Sequence, residues 1–319
     1  MREEDEAIEP TDEPASNEPA STQPFRCGFV AFVGRPNAGK STLMNALVGT
    51  KVAITSGKPQ TTRRAIRGIV HRPHGQLIIV DTPGLHRPRT LLGQRTNAVA
   101  HDALAEVDVV ALCVPAGEKI GPGDRFIAGE LTALEHTPPL LAVVTKTDTA
   151  SQKRIAEQLI AVSEIAEFAD FIPTSAVSGH QVDLLADLLI ALMPEGPPLY
   201  GDDELTDTPV DVRIAELVRE AALEGVHDEL PHSLAAEVEE MLPREGAKDL
   251  LEVRVTIYVE RPTQRAIVVG KGGERLKDVG IRARAEIEAL LGRRIHLDLH
   301  VKVAKDWQRD PKALQRLGF

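Results

Sequence analysis

The run Gly28–Val33 (GFVAFV) is apolar for six residues and opens directly onto Gly34-Arg35-Pro36-Asn37-Ala38-Gly39-Lys40-Ser41-Thr42. An apolar strand, a turn of the form G-x-x-x-x-G-K-[ST] and a helix start, in that order, leave this part of the chain few ways to fold. The glycines let backbone N–H groups wrap phosphate oxygens with no Cβ in the way. The helix N-terminus adds its dipole, Lys40 can reach the β and γ oxygens, and the Ser41 hydroxyl can bind Mg2+. The opening segment is therefore a nucleotide-phosphate site built into an α/β sheet.

The rest of the first half repeats that grammar. Gln76–Val80, Val107–Val114 and Leu140–Val144 are apolar enough for strands covered on both faces, and residues 93–106, 151–162 and 181–193 have helical periodicity. This alternation predicts a doubly wound α/β domain over 26–194. Residues 193–209 hold four Pro, two Gly and several acids, which sets a linker at 195–209. Beyond it, Val210–Leu223 reads as an amphipathic helix and Leu276–Leu291 as another. Leu251–Glu260 and His296–Lys302 alternate apolar and polar residues, and Ser233–Met241 is a weaker strand candidate. Residues 210–319 are thus expected to form a small α+β domain whose sheet has one solvated face.

Two further motifs stand at strand ends. Asp81-Thr82-Pro83-Gly84 follows the Gln76–Val80 run, where Asp81 can hold Mg2+ through water and Gly84 can bring its N–H to a γ-phosphate. Thr145-Lys146-Thr147-Asp148 follows Leu140–Val144. The Asp148 carboxylate can accept both N–H groups on the guanine edge, for which adenine has no equivalent, and Lys146 can pack its stem on the base. Asn is the usual first residue of this motif, and Thr145 in its place predicts weaker support for the phosphate loop. Ser175-Ala176 matches a short loop that completes base recognition.

The formal charge of −11 argues against a polyanionic partner, but it is unevenly spread. Residues 1–25 carry one Arg and eight acids in a Pro-rich stretch that reads as a disordered tail, whereas 261–319 carry 14 basic and 7 acidic residues. Within that basic block lies Gly270-Lys271-Gly272-Gly273, between an apolar run and a helix, with Arg265, Arg275, Lys277, Arg282 and Arg284 nearby. A G-x-x-G loop can clamp the backbone of about four nucleotides. With 3% aromatics, a surface built on base stacking is disfavoured, and the KH module is the RNA binder least dependent on aromatics. Trp307, the single Trp, is expected to anchor the C-terminal segment, with a platform for a base as its other reading. Cys27 and Cys113 are too few for a disulfide framework or a Cys-ligated zinc, and the ten His show no metal spacing.

GRPNAGKSTL, PQTTR and DTPGLH in the first half, with PEGPPLY, LTD, PHS, IVVGKGG and the ending DWQRDPKALQRLGF in the second, resemble the Era family of bacterial ribosome-assembly GTPases. The resemblance covers nearly everything after residue 25. It implies a type II KH domain, with a short helix at Ala266–Val269 where propensity favours strand. It implies that Thr61 and Thr62 lie in the first switch segment, Thr62 closing on Mg2+ and the γ-phosphate. The catalytic set is then Lys40, Thr62, Asp81 and Gly84. Leu85 stands where many small GTPases carry a water-orienting Gln, so intrinsic hydrolysis is expected to be slow. Asn37 is a candidate for holding K+ against the phosphates, with turn geometry as its other reading. The implied partners are GTP and GDP, 16S rRNA near its 3′ end, and the small ribosomal subunit.

A second reading is a regulatory G protein of the membrane or cell cycle, with RNA binding secondary. The chain has no apolar run of about 18 residues and no basic amphipathic anchor. It is expected in the cytoplasm as a monomer, weak peripheral association with the inner face of the cell membrane being the lesser alternative.

Overall fold

In a computed structural model, the structure describes residues 24–56, 62–85, 91–134, 136, 138–226, 233–243 and 250–317. Most of the acidic tail, Thr61 with the start of PQTTR, His86 of DTPGLH, and the first two residues of PHS lie outside the described residues.

The first half is a six-stranded sheet in the order β2-β3-β1-β4-β5-β6. It comprises β1 (Arg26–Val33), β2 (Ile66–Arg72), β3 (Gly75–Asp81), β4 (Val109–Pro115), β5 (Leu140–Thr145) and β6 (Asp170–Pro173). β2 runs antiparallel to β3, and the other pairings are parallel. Alternate residues of each strand feed separate cores. Val30, Phe32, Ala111 and Val143 pack with α1 (Lys40–Val48) and α5 (Val182–Leu192). Ala31, Val33, Leu112 and Val144 pack with α2 (Leu91–Ala105), α3 (Pro122–Thr132) and α4 (Gln152–Ser163). Burial on both faces is why these strands read as unbroken apolar runs. β2 and α3 escaped the sequence reading, because IRGIVHR and PGDRFIAGELT break their apolar pattern with charge and glycine.

The second half places α6 (Val210–Leu223), α7 (Pro262–Val269) and α8 (Glu274–Leu291) against one face of a three-stranded sheet. The sheet order is β7 (Ala235–Pro243), β8 (Leu251–Val259), β9 (Ile295–Val303). β8 pairs antiparallel with β7 and parallel with β9. The segment 266–269 is helical, as the family pattern requires. Pro262 pre-sets the first turn, and Gln264 Oε1 accepts from the N–H groups of Glu260 and Arg261. Local start signals here outweigh the β propensity of Ile267–Val269.

One expectation needs correction. The far sheet face is not wholly solvated: Trp307, Leu314 and Leu317 of the C-terminal segment, which ends in α9 (Pro311–Arg316), cover Tyr258 and Ala235 and reach Leu92 of α2. The segment 195–209, expected as a linker, is bonded to the first half. Gln76 Oε1 accepts from Leu199 and Tyr200 N–H, Ile69 N–H donates to Leu205 O, and Thr206 Oγ1 donates to Arg67 O. The segment lies along the open edge of β2, where unpaired backbone groups offered it partners.

Candidate functional site

The loop between β1 and α1 is shaped by its glycines. Gly34 has φ +152°, and a Cβ there would fall 2.5 Å from the Cys113 carbonyl oxygen. Lys40 is buried at the start of α1, its Nζ 3.3 Å from both Gly34 O and Arg35 O. Burial lowers its pKa, opposed by the nearby Asp81. Arg35 reaches outward to Asp124 (2.9 Å) and Glu118 (2.8 Å), fixing the loop to the start of α3. Nothing in the local motif pointed to that pairing, which spans more than eighty residues.

Ser41, Thr62 and Asp81 converge. Ser41 Oγ lies 2.6 Å from Asp81 Oδ2 and 3.0 Å from Thr62 Oγ1, and Thr62 Oγ1 donates to the same Asp81 oxygen at 3.0 Å. Burial raises the Asp81 pKa against the lowering effects of Lys40, Ser41 and Thr62. Asp81 Oδ1 is buried with no hydrogen-bond partner among the described residues. Hard oxygen donors around an unsatisfied carboxylate oxygen fit a small divalent cation such as Mg2+. Thr82 Oγ1 donates to Phe32 O, and Pro83 is buried beside it. A Cβ on Gly84 would lie 3.0 Å from Pro36 N, so this turn closes directly on the phosphate loop. Leu85 is 2% exposed and packs into the core, away from any role in orienting water.

The residues expected to read the base lie at the ends of β5 and β6. Ser175 Oγ donates to Asp148 Oδ1 at 2.5 Å and accepts from Ser178 N–H, fixing one edge of the carboxylate. Lys146, in the left-handed region at φ +56°, donates to Asn37 O at 2.6 Å. Thr145, expected to support the phosphate loop less than the usual Asn, donates its Oγ1 to Ala38 O at 2.7 Å inside the protein. Thr147 is buried and bonds Thr174 O, and Ala176 packs on the core beside α5.

A cavity of about 670 Å3 is lined by Pro36 to Thr42, Thr62, Gly84 and Lys146, by Glu220 of α6 and by Glu224 just past its end, while Asp81, Asp148 and Ser175 stand outside that lining. Glu220 and Glu224 come from the other half of the chain. No sequence signal linked them to the nucleotide site.

In the second half, Gly270, Gly272 and Gly273 all have positive φ, a backbone path open to glycine, and Lys271 is exposed between them. Lys277 is exposed. Arg265 is also exposed, with its Nε donating to Val301 O. Arg275 differs from the rest of the basic block. It turns inward to the carbonyls of Ala222, Glu224 and Gly225, at the C-terminal end of α6.

Comparison with known proteins agrees with both halves. Residues 29–146 match the family model described as 50S ribosome-binding GTPase, and 229–308 match the KH domain. GTPase Era of Streptomyces coelicolor is 62% identical over 96% of this chain and 98% of its own. The chain belongs to the Era family of GTPases. GTPase Era of Mycobacterium avium is 60% identical over 92% of this chain and 99% of its own. Among solved structures, a variant of Aquifex aeolicus Era bound to GDP·AlF4− superposes with TM-score 0.88. It has 36% identity and covers 92% of this chain and 99% of that one. An Era complex with MgGDPNP and nucleotides 1506–1542 of 16S ribosomal RNA gives the same TM-score and coverage. The enzyme is a GTPase joined to a KH domain. Among the described residues, no helix is long and apolar enough to cross a membrane.

Proposed function

We propose that this GTPase is a switch that binds single-stranded RNA at the 3′ end of 16S rRNA and assists maturation of the small ribosomal subunit. The observation that carries the reading is a pair of adjacent residues. Thr62 bonds Ser41 and Asp81 at the phosphate site, while Arg63 is buried against the KH half, donating to Leu234 O at 2.8 Å and lying over Trp307. Whatever orders Thr62 is one peptide bond from the RNA-binding domain.

Ser41, Thr62 and Asp81 would hold Mg2+, which when bound neutralises charge on the phosphates. Lys40 and the loop N–H groups bind the β and γ oxygens, and Gly84 brings its N–H to the γ-phosphate. Asp148 selects guanine with Ser175 and Ala176 closing the base pocket, and Thr145 and Lys146 hold that pocket to the phosphate loop. With Leu85 in the core, no side chain at that position orients the attacking water, so turnover is slow and depends on an ion or partner. K+ held by Asn37 is the candidate ion. On the RNA side, Gly270, Lys271, Gly272 and Gly273 clamp the backbone, and Arg265 and Lys277 add charge beside it.

The test is RNA affinity in three nucleotide states, with an RNA matching the 16S 3′ end. Affinity should change between GTP-analogue, GDP and empty forms, and equal affinity in all three would leave two independent modules. Lys271→Asp combined with Gly272→Asp should abolish RNA binding while GTP hydrolysis stays nearly unchanged. Lys40→Ala should abolish nucleotide binding and leave the KH half folded.

A further inference from the structure

We propose that α6 is the lever between the nucleotide site and the RNA loop, with Glu220 and Arg275 as its two positioning residues. This rests on the reading of the chain as a nucleotide-gated RNA binder, and it names the route by which the two sites communicate.

The geometry at the nucleotide end is direct. Glu220 Oε1 accepts the Thr55 N–H at 2.8 Å and its hydroxyl at 3.4 Å, and the other carboxylate oxygen pairs with Lys51 at 2.6 Å. Ile54, one residue earlier, is buried among Leu217, Val218 and Ala221 of the same helix. Thr55 and Glu220 both line the nucleotide cavity. Ile54 and Thr55 therefore rest on α6, by an apolar plug and a charged clasp.

At the other end, α6 terminates at Leu223 with no glycine C-cap of its own. Val226 N–H meets Leu223 O, and Arg275 adds donors for the neighbouring carbonyls, with Nη2 2.8 Å from Glu224 O and 3.2 Å from Ala222 O. A guanidinium at a helix C-terminus satisfies free carbonyls and opposes the dipole. Arg275 is also packed against the G-x-x-G loop: a Cβ on Gly270 would lie 2.7 Å from the Arg275 Cβ. Glu224 further pairs with Arg282 on α8, the helix that the loop opens. A shift of Thr55 thus moves Glu220, α6 moves as a rigid rod, and its carbonyl end moves Arg275 against Gly270. Coupling needs one element that both sites bias, and α6 touches one site at each end. Arg275 consequently acts on RNA through the loop rather than as a phosphate contact.

The full chain, loaded with a non-hydrolysable GTP analogue or with GDP, is titrated against fluorescein-labelled RNA of the 16S 3′ end. The ratio of the two affinities is the readout, about 5- to 150-fold for coupling of ordinary strength. Glu220→Ala and Arg275→Lys should each bring that ratio to within about twofold of unity, while affinity in one state stays near wild type. Glu220→Gln keeps an acceptor for Thr55 and should retain most of the ratio. Lys277→Ala should weaken binding in both states alike and leave the ratio intact. Thermal melting checks that each variant is folded, and if Glu220→Ala is not, Arg275→Lys decides alone. A wild-type ratio of one, or no RNA binding at all, overturns the functional reading itself. A large wild-type ratio that survives in folded Arg275→Lys overturns the lever and leaves that reading standing.

Discussion

Thr145 shows how one hydroxyl can serve where a carboxamide is usual. The side chain is short, but the end of β5 approaches the phosphate loop closely enough for Oγ1 to reach Ala38 O at 2.7 Å. Thr145→Val keeps the shape and removes only the donor, leaving a carbonyl without its partner. Nucleotide affinity should fall by about 1–3 kcal/mol, read by titration with a fluorescent GDP. Asn37, in the left-handed region at φ +64°, has its carbonyl held by Lys146. Replacing K+ by Na+ should slow hydrolysis on the order of tenfold or more, and Asn37→Ala should erase the difference. Equal rates of phosphate release in both salts for the wild type would remove Asn37 from that role. Both residues stood out in the sequence because they sit inside a motif. Glu220 did not, because what matters about it is a partner 165 positions away.

At the scale of elements, the segment 195–209 has the composition of a linker and yet is tied to β2 and β3 by backbone and side-chain hydrogen bonds. Its prolines and glycines report correctly that it forms no helix, but they carry no information on the open edge of β2 that receives it. Gln76 holds it in place. This side chain is 1% exposed, accepting from two N–H groups and donating to Tyr200 O at 2.8 Å. Gln76→Ala would leave those backbone groups unpaired, and stability should drop by about 2–4 kcal/mol in urea denaturation. A loss below 0.5 kcal/mol would mean that water replaces the side chain fully. The strap is continuous with α6, so the same change should loosen the helix that begins at Val210.

At the scale of the whole molecule, the two halves share a charged seam. Glu216, 16% exposed, holds the buried Arg219 through two bonds of 2.9 and 2.6 Å, with Arg63 close by. Burial works against the Glu216 carboxylate, yet Arg219, Arg64 and Arg63 outweigh it and hold its pKa below the ordinary value. A carboxyl held down in the folded state stabilises at pH above its unfolded pKa, and that stabilisation is lost as pH falls through the folded value. Glu216→Gln should therefore cost about 3–5 kcal/mol near neutrality and flatten the acid limb of the stability profile, read by denaturant midpoints between pH 3 and 7. Trp307 closes the other side of the seam, 1% exposed, its Nε1 donating to Ser233 O at 3.1 Å. Trp307→Ala should cost about 3–5 kcal/mol in the same measurement.

Local chemistry determined what could be read without coordinates. A strand, a G-x-x-x-x-G-K-S turn and a helix mark a phosphate site, and three glycines in a row of four mark a loop that can approach a backbone closely. The α/β alternation and the Leu251–Glu260 period likewise follow from which side chains must leave water. Tertiary structure decided the rest. That Thr55 rests on Glu220, that Arg63 enters the KH half, and that Arg275 caps α6 instead of facing solvent depends on distances between elements. Periodicity and motif spacing describe a residue's neighbours along the chain, and these contacts join residues about 50 to 170 positions apart. The charge of Arg275 was visible from the start, and only the fold showed what it faces.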